Sequence, residues 1–329
     1  MTRVAVVGAG IMGAATAWML ARRGAEVVVH EQFELDHVRG SSHGRSRIVR
    51  LAYPEREWVR LAIEARAGWL ELEHESGEAL LELTGLVELA ARPELTSASG
   101  LAAEHVEHRF LTPEEAAARG VAGREGWAAV YEPSGGFVRA DLAQRALLDR
   151  AAVRGARVEP GSRVDDLEAV DADVVVVTAG AWLPRFFPDL PLRVTRETVA
   201  YFAHEGPPLP SVVELDEHSS HAFFALHDPV HGLKAGAHHA GAEADPDEPG
   251  EPDGELVARI AAWVGERLPA VDAEPVGAET CLYTTTPDER FVLERRGRVV
   301  IGSACSGHGF KFAPAVGARL ADLAMTRAA

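Results

Sequence analysis

Lysine is nearly absent from this 329-residue chain: of 33 basic residues, all but Lys234 and Lys311 are arginine. Cysteine is as scarce. Cys281 and Cys305 are the only two, too few to staple a chain of this length, so a reducing compartment is expected. No stretch reaches the roughly 18 consecutive apolar residues that suggest a membrane-spanning helix. The amino terminus, MTRVAVVGAG, shows no charged-then-apolar leader, and a cytoplasmic location is the expectation. Positive charge is in deficit. Fifty acidic residues against 33 basic ones leave a formal charge of −17, the wrong sign for a nucleic-acid partner. A polyanionic substrate is disfavoured too, unless a local basic pocket overrides the global field. His218, His221, His227, His231, His238 and His239 cluster in the sequence, but without HExxH spacing or a cysteine partner, so no metal is expected.

What is there starts at the amino end. The hydrophobic fraction of 47% is ample for a core. Residues 3–7 are a β-branched run suited to a buried parallel strand. Gly8, Ala9, Gly10, Ile11, Met12 and Gly13 follow, then helix formers over 14–23, a stop at Gly24, and a second strand over 26–30 that ends at Glu31. This is a βαβ unit carrying a dinucleotide fingerprint in context. Gly8 permits the tight turn, Gly10 the approach of a pyrophosphate, and Gly13 close contact of helix and strand. The helix amino terminus faces the phosphates, and Glu31 stands where a carboxylate takes ribose hydroxyls. NAD(H) and FAD share this pattern, so it does not name the cofactor.

Residues 40–50, with Ser41, Ser42, His43, Arg45, Arg47 and Arg50, read as a polar, glycine-bounded loop: either solvated and basic, or turned toward anionic parts of a cofactor. A long helix is predicted over 55–75, with Trp58, Leu61, Ala65, Trp69 and Leu72 on one face as core. Strand-like runs at 81–89 and 127–131 flank helical pieces near 93–106 and 113–119. A helix over 140–154 precedes two more strands of the first sheet, 157–159 and 174–177, the latter ending in a tight turn with Gly180 and Trp182. Residues 192–234 alternate as strands with aromatic residues, 245–254 form a loop, and 255–267 an amphipathic helix. Strands resume at 281–284, 291–294 and 299–302, and a last helix covers 311–326. Returning βαβ pieces with antiparallel segments between them imply a nucleotide-binding domain interrupted by a second one.

Three further stretches are distinctive: Cys281-Leu282-Tyr283-Thr284-Thr285-Thr286-Pro287-Asp288, Ser306-Gly307-His308-Gly309-Phe310-Lys311-Phe312, and Gly232-Leu233-Lys234-Ala235-Gly236-Ala237-His238. With Gly40-Ser41-Ser42-His43-Gly44 and the Arg47/Arg50 pair, they closely resemble the monomeric sarcosine oxidase and N-methyltryptophan oxidase family, FAD-dependent amine oxidoreductases of the D-amino-acid-oxidase type. The resemblance runs through nearly the whole chain in the same order. It implies a mixed α/β fold, with a Rossmann-type FAD-binding domain formed by 1–80, 137–190 and 287–329. A substrate domain on a mostly antiparallel sheet would comprise 81–136 and 191–286.

The resemblance also implies roles. FAD would be held by the fingerprint, by Ser41, Ser42, His43, Arg47, Val164, Gly180 and Trp182, and by Gly307, His308, Gly309, Phe310 and Lys311, where the last helix opens. Cys281 matches the cysteine that bonds covalently to the flavin, with Arg47 as its electropositive surrounding; a small buried hydrophobe is its plainer reading. A secondary amino acid, N-methylated or cyclic, would place its carboxylate on Arg50 and Lys311. An arginine suits bidentate geometry and a lysine a point charge. His238 and Tyr283 belong to the active site, while His239 is incidental. Lys234 matches the lysine that activates O2, whose reduction to hydrogen peroxide gains from a nearby ammonium. Both lysines of the chain thus fall in active-site motifs. A monomer is favoured.

Departures from the family are equally specific. The β-meander expected between Val164 and Asp173 shrinks to a bare connector, and the tail beyond the last helix is missing. Phe223 replaces a tyrosine, and Ala225-Leu226 a bulkier pair, which implies a more apolar and larger pocket. Alternatives are a flavin dehydrogenase or desaturase acting on a biosynthetic amino-acid intermediate, and a non-catalytic FAD-binding protein.

Overall fold

The computed structural model describes residues 1–215 and 223–326, so His218 and His221 lie outside the described residues. The valine-rich amino-terminal run forms the centre of a six-stranded sheet. Its strand order is Val292–Arg296, Val299–Ser303, Val174–Val177, Arg3–Val7, Glu26–His30, Arg157–Glu159. All neighbours are parallel except the first pair, a hairpin closed at Gly297. Val174–Val177 is buried at every position, which is why it reads as a continuous apolar run rather than an alternating one. The helix Ile11–Arg22 follows the first strand and lies against the last helix, Ala313–Met325. The two approach so closely that a Cβ on Gly317 would come within 2.6 Å of the Ala15 backbone.

The second sheet has nine strands and is mostly antiparallel. Its spine is Arg193–Ala203, paired on one edge with Gly232–Ala237 and on the other, over ten residue pairs, with Pro275–Thr285. That pairing sets Lys234 and Cys281 on strands flanking the same neighbour. The helix Gly254–Arg267 covers one face; Asp253 caps it by accepting from the N–H groups of Glu255 and Leu256. Its Trp263 and Arg267 donate to the buried Glu214.

Three expectations need correction. Ser46–Val49, read as part of a polar loop, is a strand that pairs with Gly136–Arg139, and Leu81–Glu82 completes a small third sheet. Polar side chains on a four-residue strand hide its period. The run 81–89 breaks at Gly85, which has φ +86° and no room for a side chain against Tyr131; Leu86–Ala90 then joins the nine-stranded sheet. The last helix starts later than expected. Phe310–Phe312 is a single 3-10 turn, and Lys311 precedes the α-helix rather than opening it. Residues 160–173 contain neither helix nor strand, in keeping with a bare connector.

Candidate active site

One cavity runs from the fingerprint turn to the nine-stranded sheet, and every residue expected to bind cofactor or substrate lines it except Gly13. Gly13 sits behind the turn, where a Cβ would lie 1.8 Å from the Gly8 carbonyl oxygen. Gly8 has φ +97°, and its own Cβ would meet the Thr178 carbonyl at 2.7 Å. The turn therefore leaves backbone, not side chain, facing the cavity. Ile11 N–H donates to Ser42 Oγ at 3.0 Å. Glu31 accepts from Ala9 N–H at 2.8 Å and Phe33 N–H at 3.1 Å. Burial pushes its carboxyl up, yet His37 and these two amides hold it below the usual range, so it is anionic at the mouth of the turn. Val164, Gly180 and Trp182 line the same end.

Further in, the loop after Glu31 is folded back by Arg47, which donates to the carbonyls of Ser41, His43 and Ser46. Ser41 Oγ donates to the Leu282 carbonyl, tying this loop to the strand that carries Cys281. His43 is pushed down to about 3 by burial and then by Arg47 and Lys234, so its ring is neutral. Lys234, at the middle of its strand and 5% exposed, is pushed down to about 7 by burial and by Arg47. Arg47 stands as a positive charge beside Cys281, as expected. Burial pushes its thiol up and outweighs the opposing pull of Arg47 and Lys234, so Arg47 alone does not make it a thiolate.

At the far end two cations converge on one ring. The Arg50 guanidinium carbon lies 4.3 Å and Lys311 Nζ 5.7 Å from the centre of Tyr53. Arg50 is 3.7 Å from the buried Glu88. Lys311 donates to the His308 carbonyl at 2.8 Å, and among the described residues no carboxylate lies within 4 Å of it. Burial, then Arg50, pushes it well below the usual lysine range. His238 and Tyr283 form the adjoining wall, with the phenol oxygen 3.4 Å from His238 Nδ1. Burial, and next to it His239, keeps His238 neutral, while burial keeps the Tyr283 phenol protonated. Gly307, at φ +71°, lets the following loop pass these rings; a Cβ there would strike both at 2.4 Å. Val199, Val213, Phe224 and Leu226 supply the apolar wall.

The expectation for Phe223 is overturned here. Strand alternation turns Phe223 and Ala225 to the opposite face, where Phe223 stacks on Trp263 at 5.3 Å. Phe224 and Leu226 face the cavity instead. Trp69, read as core, is fully buried and donates to the Lys311 carbonyl at 2.8 Å. Sequence reasoning missed Tyr53, Glu88, Glu132 and Glu289. Glu132 accepts from the N–H groups of Leu51 and Ala52 and so holds the backbone beside Arg50. A signal existed for Glu88: a lone acid within the otherwise apolar strand Leu86–Ala90. The residue thought incidental, His239, packs on His238 with ring centres 4.0 Å apart and lies 3.5 Å from Glu289.

The residues present fit FAD. A side-chain-free turn at a helix amino terminus accepts a pyrophosphate. Four buried or half-buried basic side chains, Arg47, Arg50, Lys234 and Lys311, line one cavity of a chain with net charge −17, and such a cavity favours anionic groups.

Comparison with known proteins agrees. The FAD dependent oxidoreductase family matches residues 3–323. Peroxisomal sarcosine oxidase from Homo sapiens is 35% identical, across 97% of this chain and 91% of the relative. Monomeric sarcosine oxidase from Bacillus sp. is 31% identical, across 98% of this chain and 92% of the relative. Among solved structures, NikD, an unusual amino acid oxidase essential for nikkomycin biosynthesis, superposes with a TM-score of 0.84 at 24% identity, covering 99% of this chain and 94% of NikD. L-proline dehydrogenase from P. horikoshii superposes with a TM-score of 0.83 at 22% identity, covering 98% and 93%. At that identity the last two speak for the fold.

Proposed function

The chain belongs to the FAD-dependent oxidoreductase family, as an amine oxidase acting on CH–NH donors, and from that premise we propose that it oxidises a secondary amino acid, N-methylated or cyclic, with O2 as final acceptor. The observation that carries the substrate class is the convergence of Arg50 and Lys311 on one ring beside a neutral histidine; burial and Arg50 disfavour the Lys311 ammonium until an anion enters between them. A carboxylate fits between them, because a buried charge needs a counter-charge and hydrogen-bond donors. The relatives' names, sarcosine oxidases, support sarcosine as a member of that class, and the apolar wall of Phe224 and Leu226 suits larger or cyclic members as well.

FAD, when bound, supplies the two-electron acceptor for the C–N bond. The protein's part is orientation and electrostatics. Arg50 binds the substrate carboxylate in a bidentate fashion and Lys311 as a point charge. His238, neutral through burial and with the Tyr283 oxygen 3.4 Å from its Nδ1, offers a hydrogen-bond partner that orients the substrate amine. Lys234, which lines the same cavity, offers an ammonium to the negative charge that develops as oxygen becomes peroxide. Cys281 is the attachment point for the cofactor. Because burial raises its thiol, attachment depends on the opposing charges of Arg47 and Lys234 together with the flavin itself.

The test is anaerobic mixing of the purified protein with sarcosine, other N-methyl amino acids, pipecolate and proline, following the flavin's visible absorption. Bleaching by a secondary amino acid supports the reading; bleaching only by primary amines, or by none of these, overturns it. Peroxide formed in a one-to-one ratio with substrate on readmitting air supports oxygen as acceptor, and a small fraction of that yield rejects it. Cys281→Ser is expected to release yellow flavin on acid denaturation, and a coloured pellet would move the attachment elsewhere.

A further inference from the structure

The strand Gly232–Ala237 ends at His238, and the chain turns at His239 with φ +53°. Opposite it, the turn between Thr286 and Arg290 places Glu289 at φ +56°. Left-handed backbone is uncommon for residues of these types, and it concentrates where side chains must be aimed. The Glu289 turn is pinned from both sides. Its N–H donates to the Thr286 carbonyl at 3.1 Å, its carbonyl lies 3.2 Å from His308 Nε2, and Thr286 Oγ1 closes the loop on the Arg290 carbonyl at 2.8 Å. The result is that one ligand atom from each of His238, His239 and Glu289 lies within 4.8 Å of the others.

We propose that His238, His239 and Glu289 form a three-ligand site for a divalent ion of the zinc class, and that occupancy shuts down amine oxidation by taking His238 out of use. The distances suit that ion. Tetrahedral zinc with bonds of about 2.1 Å to nitrogen and oxygen holds its donors about 3.4 Å apart. His239 Nε2 and Glu289 Oε1 are already 3.5 Å apart. His238 closes the remaining gap with a side-chain movement on the order of 1 Å, judged against that same donor spacing. Two imidazoles and one carboxylate are the donor set borderline metals prefer, and three protein ligands leave a fourth position open.

The groups facing the site set its strength. His308, Arg50 and Lys311 also lie near His238 and oppose added positive charge, and Glu289 supplies the one negative charge among the ligands. Binding is therefore reversible rather than structural. Glu289, partly exposed, and His239 open the site toward the surface, while His238 belongs to the cavity wall. An ion can thus meet Glu289 first, at the more exposed side of the site. Metal binding stands on this geometry alone; the inhibition rests on the amine-oxidase reading.

Zinc chloride titrated into the purified flavoprotein, in competition with a chromophoric chelator, tests the site directly. One zinc per chain is expected, with magnesium ineffective. His239→Asn tolerates the left-handed backbone, and Glu289→Gln keeps the shape of the side chain. Each is expected to weaken zinc binding at least about tenfold, and the effect of zinc on oxidation is read against each variant's own zinc-free rate. Added zinc is expected to slow anaerobic flavin reduction in the parent protein and far less in either variant. No bound zinc, or an affinity in either variant unchanged from the parent's, overturns the site. Zinc bound as expected with flavin reduction unchanged overturns the inhibition. A protein whose flavin no amine reduces would fail the functional reading, while the chelator titration would still decide the site.

Discussion

The two ends of the cavity are built differently. At the nucleotide end, turn, helix start and acidic terminus follow one another from Gly8 to Glu31, and the geometry is backbone geometry. At the substrate end, Arg50, Lys234, His238, Tyr283 and Lys311 come from segments far apart in sequence, and their geometry is a matter of side chains and sheet register. The first end tolerates almost no added atom. The second depends on which side-chain charges the register and loops bring together. This suggests that binding the cofactor and choosing the substrate can be varied independently.

The largest effect expected from breaking this division is at the backbone end. Gly13→Val drives a side chain into the Gly8 carbonyl, and the purified protein is expected to be colourless, as read from its visible absorption. Next is Lys234→Met. Losing the ammonium is expected to slow reoxidation by oxygen by about 10²–10³ while flavin reduction changes little, measured by stopped flow; equal loss in both half-reactions would place Lys234 in the amine step instead. Arg50→Met comes third. Loss of one charge-assisted contact to the substrate carboxylate is expected to cost about 2–3 kcal/mol in kcat/KM, roughly 30–150-fold, without bleaching the resting flavin.

The pH dependence sharpens the same comparison. Lys234 is pushed down to about 7, so its cation is present below that pH and lost above it. Reoxidation is expected to fall as pH rises through about 7, toward a tenfold loss per unit, and Lys234→Met is expected to flatten that profile. The smallest effect belongs to Glu88→Gln. Burial already pushes this carboxyl up, and an amide keeps an acceptor for the Ser97 N–H, so a change of less than about fivefold in KM is expected. A larger rise in KM would mean that the Glu88 charge orients Arg50.

The amino-terminal unit was legible because its signals are local: β-branched strands, glycines at fixed offsets, helix formers, an acid at the end. The lysines were legible for another reason, since a chain that uses arginine almost everywhere makes each lysine conspicuous. Phe223 was misplaced because its side depends on register, and one position along a strand reverses the face. Ser46–Val49 escaped because a short strand of mixed polarity has no readable period. Arg47 was expected beside Cys281 and acts on it, but the larger opposing effect of burial was not legible, since desolvation depends on how many atoms surround the sulfur.

What the sequence determined by itself is the dinucleotide turn, the parallel core strands and the residue types available for chemistry, because each rests on near neighbours along the chain. The tertiary structure alone decided which charges meet. Arg50 and Lys311 converge on Tyr53, and His239 and Glu289 join His238, only once the sheets are paired and the loops anchored. Electrostatic interaction depends on distance and burial in space, and neither quantity is written along the chain.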